Sequence, residues 1–118
     1  MILSRMSCLF CDIAQKKRPS TAVFEDDTIY AFRDTRPQAP THILIVPRKH
    51  IATLNDLSDT DAALVGKIVL VARDLAAQEG IAEDGYRLVW NCNAMAGQTI
   101  YHIHLHLMGG RALRWPPG

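Results

Sequence analysis

Apolar positions recur along this chain in two rhythms, one close to the helical period and one alternating, and the change from one to the other outlines the elements. Phe10, Ile13 and Ala14 share one helical face, which predicts a first helix over residues 8–17 stopped by Pro19. Residues 22–25 and 28–33 read as two short strands about the turn Asp26-Asp27. After a loop carrying Pro37 and Pro40, residues 42–46 form the continuous apolar run of a buried strand, which Pro47 ends. Ser58, with Asp61 in a box-like arrangement, starts the longest element; Leu64, Val65, Ile68, Val71, Ala72, Leu75 and Ala76 then repeat at helical spacing until Gly80. Residues 86–91 and 100–108 are the last strands, separated by a loop over 92–99. The pattern predicts an α+β fold: a mainly antiparallel five-stranded sheet with one long and one short helix. The stretch Trp115-Pro116-Pro117-Gly118 suits neither helix nor central strand, so residues 111–118 are expected to form an extended tail.

A chain of 118 residues fits one domain, here expected over residues 1–118. With 48% hydrophobic and 21% charged residues it can bury a core, and disordered, collagen-like and coiled-coil classes lose support. A net charge of +1 argues against a broad nucleic-acid footprint and against a polybasic membrane anchor, but leaves room for a small anionic ligand. The first residues lack the apolar run of a secretion signal, and no run is long enough to span a bilayer, so the expected location is cytoplasmic. Three cysteines, Cys8, Cys11 and Cys92, cannot pair completely, which makes reduced thiols the default.

Candidate chemistry concentrates in Ile100-Tyr101-His102-Ile103-His104-Leu105-His106-Leu107-Met108. On a strand the three imidazoles would share one face, spaced about 6.6 Å apart, while Ile103, Leu105 and Leu107 face the core. A merely solvated strand face would draw on Thr, Lys, Glu and Gln. Two chemical readings remain. Several imidazoles could hold a metal that activates water. Alternatively, one neutral imidazole is a nucleophile and its neighbours grip a phosphate. Asn91, Gln98, Thr99 and the Gly97 backbone offer neutral donors nearby, which favours the second reading.

The run from His102 to Met108 follows the pattern His, apolar, His, apolar, His, apolar, apolar. With Asp34 through His42 (DTRPQAPTH), Gly85-Tyr86-Arg87, Gly97-Gln98 and the closing WPPG, the chain resembles the histidine triad superfamily, and within it the Hint branch of purine nucleoside phosphoramidases. The resemblance implies that His104 attacks the α-phosphorus of a nucleoside phosphoramidate or acyl-adenylate, so that water hydrolyses a nucleotidyl-histidine. It implies that His106 binds phosphate oxygens and that His42 stands behind His104. Thr99 takes a position where serine is frequent and offers its hydroxyl to the leaving nitrogen. By the same resemblance Gln98 and the Gly97 amide contact phosphate, Asn91 is a phosphate- and ribose-side ligand, Asp34 accepts from ribose, and Phe10, Ile13, Phe32 and Thr35 line a purine slot. The long helix and the adjoining strand would build a homodimer, with Trp115 of the tail reaching toward the partner's site.

Cys8-x-x-Cys11 is by itself a weak metal signal and also suits two small buried hydrophobes on a helix. The galactose-1-phosphate uridylyltransferases, wider relatives of this family, place zinc between such a pair, a histidine after the central strand and the first triad histidine. Cys8, Cys11, His50 and His102 fill those positions here. The resemblance therefore implies a possible structural zinc and a catalytic step that needs no cofactor. A nucleotide-binding interaction protein with incidental hydrolysis, or a metal-dependent hydrolase, are the alternatives.

Overall fold

The computed structural model describes residues 8–118; the stretch read above for a secretion signal begins outside the described residues. A short helix α1 (Leu9–Ala14) precedes strands β1 (Ala22–Glu25), β2 (Ile29–Arg33) and β3 (Thr41–Pro47). Two 3-10 turns, Leu54–Asp56 and Asp59–Asp61, lead into the long helix α2 (Ala62–Gln78), followed by β4 (Tyr86–Trp90) and β5 (Leu105–Gly109). The sheet is antiparallel throughout, in the order β1-β2-β3-β5-β4.

The central strand explains its own composition. Ile29, Ala31, Ile43, Ile45, Leu105 and Leu107 pack on one face against Ile68, Val71, Ala72, Leu75 and Ala76 of α2. Tyr30, Phe32, Leu44 and Val46 face the other way and meet Phe10, Ile13 and Ala14 of α1. Every residue of β3 is buried because a helix covers each face of the sheet, and an unbroken apolar run is what such a strand requires. At about 1.5–3 kcal/mol for each large aliphatic side chain buried, these two layers are the main source of stability.

Elements were foreseen well and their ends less so. The first helix stops at Ala14 instead of residue 17, because Lys16 turns to φ 62° and leaves helical geometry. Ser58 does meet Asp61, whose carboxylate accepts from the Ser58 amide at 2.9 Å, but this box caps the 3-10 turn and α2 begins only at Ala62. Gly80, at φ 76°, follows the end of α2. Two charged contacts tie α2 to the hairpin. Arg33 grips Glu79 with two 2.9 Å bonds, and Lys67 lies 2.6 Å from Asp26. Burial pushes the Asp26 carboxyl up, but Lys67 and the amides of Thr28 and Ile29 outweigh it and hold it at about 2.

The largest departure concerns the last strand. Its ladder starts at Leu105, not at residue 100, so His102 and His104 stand on irregular chain and only His106 lies in β5. The register supplies the reason. Ile45 pairs with Leu105, which would set Pro47 opposite Ile103, and proline has no amide hydrogen for the ladder. The Ile103 amide bonds the Ile51 carbonyl instead, at 2.8 Å. Among the described residues, no helix is long and apolar enough to cross a membrane.

Candidate active site

The irregular segment before β5 gives each triad histidine different surroundings. The His104 Nδ1 lies 2.8 Å from the His102 carbonyl. A carbonyl only accepts, so Nδ1 carries the proton and Nε2 keeps an unshared pair. Burial lowers the His104 pKa, against a raising effect of that hydrogen bond and of Asp34, so the ring is neutral at pH 7. Phe10 meets the His104 ring edge-on, with centroids 4.9 Å apart, and the His106 ring lies 5.0 Å away. The arrangement is that of a neutral, fixed nucleophile whose reactive nitrogen is set by a main-chain bond.

His106 is fixed by a chain of hydrogen bonds that begins at main chain. The Gln38 amide donates to His42 Nδ1 at 3.0 Å, which leaves the His42 proton on Nε2. That Nε2 stands 2.9 Å from His106 Nδ1 and donates to it. The neutral His106 ring must therefore carry its proton on Nε2, and this buried atom has no hydrogen-bond partner among the described residues. Burial, followed by the nearby His104 and His42 rings, depresses the His106 pKa to about 4, so a neutral ring is the form present at pH 7. A buried donor without an acceptor costs roughly 1–3 kcal/mol, and an anionic oxygen placed there would satisfy it.

The structure corrects several expected placements. His42 does not stand behind His104; it holds His106, and the His102 carbonyl holds His104. Gln98 is only 4% exposed, and main-chain groups of Asn93, Ala52 and Ile100 take up its carboxamide. The Gly97 amide donates to the Ala94 carbonyl at 3.0 Å and is likewise engaged within the turn. Phe10, Ile13 and Phe32 are core residues of the α1 side, Thr35 and Thr99 are exposed, and Asn91 is half-buried. Asp34 Oδ1 accepts from the Arg36 amide at 2.8 Å, and its Oδ2 lies 3.4 Å from His42 Nε2. Trp115 is 81% exposed. Sequence reasoning missed the Gln38 amide and the Pro47 carbonyl, because main-chain partners leave no residue-type signal.

A second cluster adjoins the first. Cys8, Cys11, His50 and His102 offer ligand atoms that all lie within 4.8 Å of one another. Each Sγ is 3.5 Å from His102 Nδ1, and Cys11 Sγ is 3.3 Å from His50 Nδ1. A tetrahedral zinc with usual bond lengths sets sulfur and nitrogen about 3.5 Å apart. His102 Nε2 donates to the Pro47 carbonyl at 2.7 Å, so its Nδ1 presents a lone pair toward the sulfurs, the tautomer that a metal ligand needs. Burial depresses the His102 pKa to about 4, which keeps the ring in that neutral form. The donor set fits zinc. Asp34, His42 and His106 also converge within 4.8 Å, but the hydrogen bond between the two rings accounts for that grouping.

Known proteins resemble this chain in sequence and fold. The HIT domain family model matches residues 15–113. The purine nucleoside phosphoramidase of Escherichia coli (strain K12) is 52% identical over 105 residues, 89% of this chain and 88% of that protein. A HIT family hydrolase from Legionella pneumophila Philadelphia 1 superposes with a TM-score of 0.94 at 61% identity, over 95% of this chain and 100% of that one. A histidine triad protein from Clostridium difficile gives a TM-score of 0.91 at 42% identity, over 93% of this chain and 96% of the other.

Proposed function

This chain belongs to the HIT domain family, and on that footing we propose that it hydrolyses the P–N bond of purine nucleoside phosphoramidates, and acyl-adenylates, through a nucleotidyl-histidine on His104. The observation that carries the reading is the bond from His104 Nδ1 to the His102 carbonyl, which leaves Nε2 as the nucleophilic atom. That nitrogen donates its pair to the α-phosphorus; the P–N bond breaks and the amine departs with a proton from the Thr99 hydroxyl, which regains one from the water that attacks in the second step. Water then attacks phosphorus, the bond to Nε2 breaks, and the nucleoside monophosphate leaves with the imidazole restored. One difficult substitution becomes two easier ones. The orphaned His106 Nε2 donor supports a phosphate-binding role, because charge developing on a phosphoryl oxygen is stabilised by a donor already in place.

The remaining site assignments follow the same reading. Asp34 accepts from ribose, Asn91 and Thr99 contact the phosphate side, and the edges of Phe10, Ile13, Phe32 and Thr35 border the purine. Cys8, Cys11, His50 and His102 hold a structural zinc, which when bound supplies a closed tetrahedral anchor for α1. His104 lies outside that ligand set, so the step on phosphorus is assigned to the imidazole alone. The chain acts as a homodimer in the cytoplasm. Leu70 of α2, 50% exposed, and β4 at the sheet edge support a second copy on that side, toward which Trp115 would extend.

Mass spectrometry of the protein mixed with an adenosine phosphoramidate and quenched early tests the mechanism. A nucleotidyl adduct on His104 is expected, and His104→Ala should lose turnover while it still binds adenosine monophosphate. An adduct on any other residue would overturn the assignment.

A further inference from the structure

We propose that Gln98 is a positioning residue for this reaction: its carboxamide closes the 93–98 loop and fastens the irregular segment that ends in the nucleophile. The inference rests on the reading just given for its effect on rate, and on geometry alone for its effect on the loop.

Three separate stretches of main chain meet at this one side chain. Gln98 Oε1 accepts from the Asn93 amide at 2.8 Å, and Nε2 donates to the Ala52 carbonyl at 2.8 Å and to the Ile100 carbonyl at 3.1 Å. The Gln98 amide in turn donates to the Asn93 carbonyl at 3.1 Å, so Asn93 and Gln98 bind each other in both directions. Asn93 needs that hold. Its φ of 69° and ψ of −179° fall in a region that essentially only glycine occupies, and such a conformation persists only where its surroundings impose it. Gly97, at φ 89°, completes a turn that no ordinary side chain would favour.

The ties also reach the chemistry. From Gln98 to His104 the chain has no ladder partner, and two bonds attach it to the stretch after His50: Gln98 to Ala52, and Ile103 to Ile51. Thr99 lies directly beside the first tie, and its amide has no partner among the described residues. The second tie stands one residue before His104. Loosening the first lets Thr99 and the loop drift relative to the nucleophile, and a displacement of about 1 Å at such a site costs on the order of 10²-fold in rate.

The test uses Gln98→Met, which keeps the length of the side chain and removes every polar contact. Gln98→Glu, which keeps the acceptor for Asn93 and removes the donor to Ala52 and Ile100, covers the case in which the first variant fails to fold. Both are measured well below their thermal midpoints for single-turnover adduct formation, binding of adenosine monophosphate and amide hydrogen exchange. Adduct formation in Gln98→Met is expected to slow about 10²-fold, with nucleotide affinity within about threefold of the parent. The Asn93 amide should exchange at least about tenfold faster. In Gln98→Glu the Asn93 amide should stay protected while the adduct still forms slowly. Affinity falling in step with rate would make Gln98 a phosphate ligand, and rate and exchange both unchanged would make it a bystander; either overturns the proposal. If the parent forms no adduct, the proposed reaction fails, and the Asn93 exchange still decides whether Gln98 closes the loop.

Discussion

His42→Ala isolates what the relay to His106 contributes. In the parent, the Gln38 amide fixes the His42 tautomer and His42 fixes that of His106, so Nε2 of His106 always presents a proton. The substitution removes one neutral hydrogen bond, worth about 1 kcal/mol, and frees the His106 proton to sit on either nitrogen. Only part of the population then presents a donor at Nε2, a further factor of about two to five. Together these predict a loss of roughly 10- to 30-fold in kcat/KM, equivalent to about 1.4–2 kcal/mol of transition-state stabilisation. Removing the donor outright with His106→Ala should cost about 10²–10³. His42→Gln, whose amide can still donate toward Nδ1, should recover most of the lost rate. Steady-state kinetics with an adenosine phosphoramidate, alongside the nitrogen chemical shifts of His106, measures all three variants. A His42→Ala enzyme as slow as His106→Ala, or one within twofold of the parent with the His106 tautomer unchanged, would refute the relay.

Stability should depend on pH through His106. Its folded pKa of about 4 lies below the ordinary 6.5, so the unfolded chain takes up the proton first as pH falls; stability is fully present above about 6.5 and declines toward pH 4, by about 3 kcal/mol at most. Urea midpoints across that range should flatten in His106→Asn, and a slope identical to the parent's would remove this residue as the cause. For the metal, elemental analysis of the purified chain should give close to one zinc per chain. Chelation should lower the melting temperature by on the order of 10 °C, as the loss of a ligand held at about a hundred times its Kd implies. Zinc absent from the purified chain, or a melting temperature unmoved by chelation, would count against the cluster as a metal centre.

How much of this was legible beforehand follows the division between side chains and main chain. The β3 run and the periodicity of α2 announced themselves because burial selects residue types at regular intervals. The grouping of His102, His104 and His106 was equally plain, but the strand inferred from their alternation begins only at Leu105, since one proline across the register stops the ladder. Contacts made by side chains of distinctive chemistry, such as the Cys8, Cys11, His50 and His102 set, could be foreseen, in that case through the resemblance to wider relatives of the family and not through spacing alone. The Gln38 amide, the Pro47 carbonyl and the His102 carbonyl could not, because every residue carries such groups. For the same reason the type of Gln98 suits a phosphate contact as well as a main-chain tie, and its burial and three main-chain bonds favour the second.

His102 takes part in both centres through different atoms: its ring faces the cysteines, and its carbonyl orients His104. The carbonyl persists whatever side chain is attached, so substitution at positions 8, 11, 50 and 102 can erode the candidate metal cluster while the acceptor for the nucleophile stays in the chain. The two properties are thus separable along a mutational path although they share a residue. A lineage, or a designer, could discard the candidate cluster provided that packing elsewhere keeps the segment in place, and could alter its donors without touching the atom that readies the nucleophile.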